Sequence, residues 1–357
     1  MISAHRPSSA FKRPKANSRV DEITAFNDGP ISEDDCGSET GGAIAVQHAR
    51  RGPSCISAGA TNAVLIWEDE VKRLIAAGRH EEAVRLVAPS DGLIRCTVRR
   101  VKNFLGNTLA YHVYLDSGDT FLLAARKRKK SKASNFILST SQEELSREST
   151  HCIAKLRANF VGTEYALVGR VGSGCSASDD EDGGISGGGA GRLAPRPEPF
   201  SREDLAVHYK QTALKAKAGP RVMLVATPLP ESSWCPSAAD GSDSLPSCLE
   251  LARRRELSPR LERQLCMLAT RPPEWDPALK AYTLDFHGRV RAASIKNFQL
   301  VHWDHNTDRR GADLVLQYGK VDEGSDDFAL DFTYPLTIQK AFAIALASTD
   351  SKLCTAL

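Results

Sequence analysis

The sequence predicts a mainly β fold of the α+β kind, a barrel whose interior is filled by one helix. Two observations carry this. From Gly92 onward, short runs alternate apolar and polar residues, and Gly, Asp, Asn or Ser separates many of them. Near the end, LTIQKAFAIALAST (336–349) has almost no polar face, and a helix apolar all round is buried on every side. At about twelve residues such a helix is ~18 Å long, too short to span a bilayer. Many alternating strands followed by this helix point to a barrel packed around it. Hydrophobic residues are 41% of the 357, enough for one large domain with tails.

Residues 1–60 are rich in Ser, Gly, Pro and Ala with few aromatics. They cannot bury enough apolar surface to offset chain entropy and are expected to form a disordered tail. In 61–87, Val64, Leu65, Trp67, Val71, Leu74, Ile75, Ala83, Val84 and Leu86 recur at helical spacing, and Gly78 divides them into two short helices. A barrel domain is expected over 88–357. Its first strands lie in IRCTVRRV, LAYHVYLD, TFLLAARKRK, SNFILST, CIAKLRANF and EYALVGRV. The stretch 172–199 is rich in Gly and Ser, acidic at 179–182 and Pro-rich at its end, as expected of a surface insertion. REDLAVHYK reads as helix or strand, and PRVMLVAT as a strand. A second irregular insertion, 230–262, is expected to end in a charged helical stretch over Leu249–Leu265. Strands resume in KAYTLDFHGRV, IKNFQLVHW, DLVLQYGKV and DFALDFTYP.

Net charge is only +3, so no global field draws the chain to polyanions, and an anion site needs local clustering. The nine cysteines are odd in number and include no C-x-x-C pair, which reads as reduced thiols of a cytosolic or nuclear protein. The first residues lack an apolar leader and no run reaches the ~18 apolar residues of a membrane span. The expectation is a soluble protein whose membrane contact, if any, is peripheral. Gly184-x-Ser186-x-Gly188 spells a nucleophile elbow, but it lies in low-complexity glycine rather than between a strand and a helix. His302-Trp303-Asp304-His305 offers two imidazoles without further ligands in view. No Ser/His/Asp, Cys/His or paired-carboxylate arrangement stands out, so neither an enzyme nor a metal or cofactor is expected.

Local clustering does occur. Six of the seven residues from 126 to 132 are basic: Arg126, Lys127, Arg128, Lys129, Lys130 and Lys132. Apolar runs flank them, so they sit inside folded chain. On a strand, Arg126, Arg128, Lys130 and Lys132 share one face, and Lys127 and Lys129 the other. An anionic leaflet attracts each nearby Lys or Arg by roughly 1 kcal/mol, so the run fits a membrane-facing rim. It also fits a nuclear-import signal or a nucleic-acid patch. The nearby Phe121 and Phe136 read as core residues rather than stacking platforms, so nucleic acid is not the expected partner. Lys155 and Arg157 are two apart, which on a strand puts both on one face. Arg can grip a phosphate bidentately and Lys acts as a point charge. A further possibility is an adaptor whose 61–87 helices recruit a protein partner.

The words NFQLVH (297–302), LVLQYGKV (314–321), DFTYPLTIQKAFAIALASTDSKL (331–353), LDFHGRV (284–290), LLAARKRKKSKASNF (122–136) and AKLRANFVGT (154–163) resemble the carboxy-terminal domain of tubby-like proteins. Their order agrees, and the resemblance covers 88–357 apart from the two insertions. It implies a closed, mostly antiparallel β-barrel threaded by a central hydrophobic C-terminal helix. It also implies binding of phosphatidylinositol 4,5-bisphosphate. Carried over word by word, the headgroup residues are Lys155 and Arg157 in KLRAN, Asn135 in KASNF and Arg202 in SREDLA. The family resemblance further implies a monomeric, cytoplasmic protein, peripheral at the plasma membrane or cilium. There it would tether to the membrane, deliver receptors to cilia and pass to the nucleus when the lipid is hydrolysed.

Overall fold

The computed structural model describes residues 44–46, 61–128, 133–170, 200–210 and 221–349. In chain order, a short strand β1 (Ile44–Val46) precedes helices α1 (Asn62–Ala76) and α2 (His80–Arg85). Eight strands follow: β2 (Ile94–Lys102), β3 (Thr108–Leu115), β4 (Thr120–Lys127), β5 (Phe136–Ser139), β6 (Cys152–Ala158), β7 (Glu164–Arg170), β8 (Phe200–Tyr209) and β9 (Met223–Pro228). Helices α3 (Leu245–Arg254) and α4 (Pro259–Glu262) lead into β10 (Leu265–Thr270), β11 (Glu274–Asp276) and β12 (Ala281–Leu284). The chain then forms β13 (Phe298–Asp304), β14 (Arg309–Lys320), β15 (Asp327–Phe332) and helix α5 (Ile338–Ser348).

Twelve of the described strands close into one barrel, in the order β10-β13-β14-β15-β2-β3-β4-β5-β6-β7-β8-β9. All its pairings are antiparallel. Closure leaves no sheet edge to be satisfied by another chain. The remaining three strands form a small separate sheet in which β1 pairs parallel with β12.

Helix α5 fills the barrel. Thr337 caps it by accepting from the backbone N–H of Lys340 at 3.2 Å. Every residue of the helix except Lys340 is buried. Alternate alanines (Ala341, Ala343, Ala345, Ala347) keep it slim, while Phe342, Ile344 and Leu346 fill the space to the wall. Trp67, Val71 and Leu74 of α1 and Val84 of α2 join the same core. Trp67 Nε1 donates to the Val87 carbonyl at 2.8 Å, and its ring meets Phe332 edge-on.

Three readings of the sequence need correction. Leu249–Leu265 is not one helix: α3 ends at Arg254, because Arg255 adopts a left-handed conformation (φ 61°), and β10 begins at Leu265. That strand, LCMLAT, escapes a search for alternation because both of its faces are covered. Cys266 and Leu268 face the barrel core, and Leu265, Met267 and Ala269 face the apolar side of α3. Secondly, Ile44–Val46 within the expected tail form strand β1; the rest of 1–60 lies outside the described residues, as do 172–199 with the Gly184–Gly188 word. Thirdly, Cys235 is disulfide-bonded, while Cys96, Cys152, Cys248 and Cys266 are free thiols in the interior. Spacing along the chain does not show which cysteines the fold brings together.

Candidate functional site

The barrel register assembles a basic surface from three strands. Arg126 on β4 stands opposite Ile137 on β5, which stands opposite Lys155 on β6. One step further, the Arg128 N–H donates to the Asn135 carbonyl at 2.8 Å, continuing the β4–β5 ladder past its last strand residue. The β5–β6 register places Asn135 across from Arg157, because Phe136 pairs with Leu156. Leu156 and Phe136 are buried in the barrel core, so the intervening set points outward. Strands lie ~5 Å apart and residues two apart lie ~7 Å apart, so these two rows put their cations within reach of one small ligand.

Arg128, Asn135, Lys155 and Arg157 line a cleft of about 310 Å³, together with Phe136, Ile137, Ala158 and Arg147. Among the described residues no carboxylate pairs with Arg128, Arg147, Lys155 or Arg157. Arginines elsewhere on the barrel are treated differently: Arg99, Arg100 and Arg289 each meet an aspartate at 2.7 to 2.8 Å. Burial lowers the Lys155 pKa, and the like charges of Arg147, Arg157 and Arg128 lower it further. The Lys155 Nζ also lies 3.6 Å from the centroid of the Phe200 ring, in cation–π contact, and Arg170 flanks the same ring at 5.3 Å. Asn135 Oδ1 accepts from the Ala158 N–H at 3.0 Å, which fixes its carboxamide and ties the two strand ends together. A cluster of like charges with no carboxylate partner among the described residues has the chemistry to hold an anion, and its mixture of Arg forks and a Lys point charge suits phosphates.

Most of the chain matches a known family. The profile of the Tub family matches residues 84–351. The chain belongs to the Tub family. It is 33% identical over 286 residues to Tubby-related protein 2 of Mus musculus, covering 76% of this chain and 45% of that protein. It is 34% identical over 281 residues to Tubby-related protein 3 of Homo sapiens, covering 76% of this chain and 57% of that one. Protein king tubby 1 of Aedes aegypti is 34% identical over 281 residues, with 77% and 60% covered. The chain thus spans about half the length of the relatives it matches.

Of the residues that the Tub-family words single out, Asn135, Lys155 and Arg157 come together in the cleft. Arg202 does not. Its Nε donates to Asp204 Oδ1 at 2.8 Å, and Asp204 Oδ2 accepts from Gln339 Nε2 of the central helix at 3.4 Å. Burial lowers the Lys340 pKa, and Arg202, paired with this carboxylate two residues along, lies near enough for its charge to lower it further. The basic run also divides. Arg126 and Lys127 are exposed at the end of β4, and Lys127 lines a neighbouring recess with Arg100 and Lys296. Arg128 belongs to the cleft itself, while Lys129, Lys130 and Lys132 lie outside the described residues. Arg147 and Phe200 were not singled out by the sequence. Arg147 comes from an irregular loop between β5 and β6, and Phe200 is the first residue after the 172–199 insertion, so only the fold brings either to Lys155.

The histidines of the HWDH word have separate neighbours: His302 Nδ1 faces the Cys266 Sγ at 3.6 Å, and His305 lies 3.8 Å from Glu262.

Proposed function

We propose that this Tub-family domain binds the headgroup of phosphatidylinositol 4,5-bisphosphate in the cleft between β4, β5 and β6, and so acts as a peripheral membrane adaptor. The observation that carries the reading is the convergence of Arg128, Arg147, Lys155 and Arg157 on one cleft without an acidic partner among the described residues. An inositol ring bearing several phosphates supplies the charge this cluster lacks, and its size suits the cleft. Arg157 and Arg128 would grip phosphates through their forks, Lys155 would act as a point charge steadied by Phe200, and Asn135 would present its amide N–H groups. In this reading Arg126 and Lys127, with the basic residues that follow them, attract the anionic leaflet around the bound lipid. The family's roles in receptor delivery to cilia, and in release to the nucleus after lipid hydrolysis, fit a headgroup-dependent tether. The reading is of a monomeric binding protein, not an enzyme. A nucleic-acid role for the 126–132 run gains nothing from Phe136, which is buried in the core and unavailable for base stacking.

Titration of the full chain with inositol 1,4,5-trisphosphate, the soluble form of the headgroup, tests this. Saturable binding that falls with salt is expected, weakened at least tenfold in Lys155→Ala/Arg157→Ala. Equal affinity of wild type and double variant would place the site elsewhere.

A further inference from the structure

Two hairpin tips on the barrel are built to the same plan. The words Asn103-Phe104-Leu105-Gly106 and Asn159-Phe160-Val161-Gly162 both read Asn-Phe-apolar-Gly, and they join β2 to β3 and β6 to β7. In each, the asparagine Oδ1 accepts from the backbone of its own tip. Asn103 takes the N–H groups of Leu105 and Asn107 at 3.0 and 2.9 Å. Asn159 takes those of Gly162, Thr163 and Glu164 at 2.8, 3.0 and 3.3 Å. Each glycine N–H donates to the asparagine carbonyl, and each glycine sits at positive φ (81° and 84°), where an L side chain is strained. The tips are therefore shaped turns. What they present is apolar: Phe104 is 95% exposed, Leu105 69%, Phe160 71% and Val161 46%.

The topology places both tips beside the cleft. Adjacent barrel strands are antiparallel, so the β2–β3, β4–β5 and β6–β7 connections all lie at one end. The middle connection carries the basic run and the Arg128–Asn135 side of the cleft. Around this rim the order is apolar tip, cleft cations, apolar tip. A rim that alternates exposed aromatics with the cleft cations Arg128, Lys155 and Arg157 matches the layering of an anionic membrane surface. There the cations meet headgroup phosphates and the apolar side chains pass below them.

We infer that this rim is a bilayer-docking surface in which Phe104-Leu105 and Phe160-Val161 insert among the acyl chains on either side of the headgroup cleft. The inference rests on the lipid-binding reading above and adds to it a second, headgroup-independent source of affinity. The cleft selects the headgroup, and the tips hold the barrel upright and resist dissociation when salt screens the cations.

The full chain tests this with two assays run together. Inositol 1,4,5-trisphosphate binding reads the cleft alone, and flotation with vesicles of phosphatidylcholine, phosphatidylserine and phosphatidylinositol 4,5-bisphosphate reads cleft and tips. The variants Phe104→Ser/Leu105→Ser and Phe160→Ser/Val161→Ser are each expected to weaken vesicle binding about tenfold, from the apolar area no longer withdrawn from water. Their trisphosphate affinity should stay unchanged. A Phe160→Trp variant should add fluorescence that phosphatidylcholine brominated on its acyl chains quenches, above the background of the native tryptophans. Tip variants that float like wild type while trisphosphate still binds would overturn the inference and leave the cleft reading standing. Tip variants that lose trisphosphate affinity as well would make the tips mere supports of the cleft, which also overturns it. A wild-type chain that binds neither trisphosphate nor vesicles would overturn both readings.

Discussion

The ammonium group of Lys155 on β6 lies 3.6 Å from the centre of the Phe200 ring on β8, across the one intervening strand β7. Phe200 begins the strand that resumes after the 172–199 insertion, and its ring gives the lysine a fixed resting place beside Arg157. Holding a flexible side chain before the ligand arrives lowers the entropy lost on binding. Phe200→Leu keeps an apolar residue but removes the ring's negative face. It should weaken inositol trisphosphate binding by about two- to fivefold, in line with a partly exposed cation–π contact. A gain in affinity would show that the ring competes with the ligand for Lys155.

Binding should depend on pH through the same amine. Its pKa in the free protein lies below the ordinary 10.5, through burial and then through the neighbouring arginines. A bound phosphate favours the charged form and raises the pKa, so binding takes up a proton wherever the free amine is already neutral. From pH 7.5 upward, affinity should stay level until the lowered free-state pKa is reached, then fall as pH approaches 10.5. Titration calorimetry in buffers of different ionisation heat reads this proton uptake directly. A flat profile through that range would separate Lys155 from the ligand.

Asn135 joins the scaffold to the site, and two substitutions separate those parts. Asn135→Asp keeps an acceptor for the Ala158 N–H but adds a negative charge to the cleft. It should lower trisphosphate affinity at least tenfold while changing stability little, by about 0.5 kcal/mol or less. Asn135→Ala also removes the acceptor and should cost about 1 kcal/mol in urea unfolding.

Arg202 provides a contrast within the same barrel. Paired with Asp204 and turned from the cleft, it should contribute less to headgroup affinity than Lys155 or Arg157. Arg202→Ala is expected to change trisphosphate affinity less than threefold, whereas either cleft variant alone should cost more than that. A larger loss would mean that the ion pair opens and Arg202 swings to the ligand.

Several of the most recognisable words in the sequence are explained by structure alone. Asp331 is 1% exposed. Arg289 reaches it at 2.8 Å and Gln317 Nε2 at 2.7 Å, and Gln299 donates in turn to Gln317 Oε1 at 3.2 Å. The LDFHGRV, NFQLVH, LVLQYGKV and DFTYP words thus meet in one network that includes none of the cleft residues. Removing one partner of a buried pair leaves its charge uncompensated, so Arg289→Met should destabilise the barrel by about 3–5 kcal/mol. Residual folded protein should still bind trisphosphate normally.

Those words made the barrel and its central helix legible, since each is long and several lie in buried strands whose partners restrict them. The KLRAN and KASNF words likewise singled out Lys155, Arg157 and Asn135, which the barrel brings to one cleft. What the sequence concealed was of three physical kinds. LCMLAT has no alternation because helix α3 covers its outer face. Arg147 and Phe200 reach the cleft from an irregular loop and a strand start, where no periodicity points. Arg202 keeps its place in the SREDLA word, but its orientation is decided by Asp204, and a linear word carries no record of which way a side chain turns at a β-bulge.

The most direct test of the headgroup site is co-sedimentation of the full chain with vesicles containing phosphatidylinositol 4,5-bisphosphate, set against phosphatidylserine vesicles of equal charge. Wild type and Lys155→Ala/Arg157→Ala are compared. The account predicts that wild type prefers the bisphosphate vesicles and that the double variant keeps only the weak, salt-sensitive binding common to both. Equal binding of wild type to the two vesicle types would contradict it and leave the cleft a general anionic surface without headgroup selection.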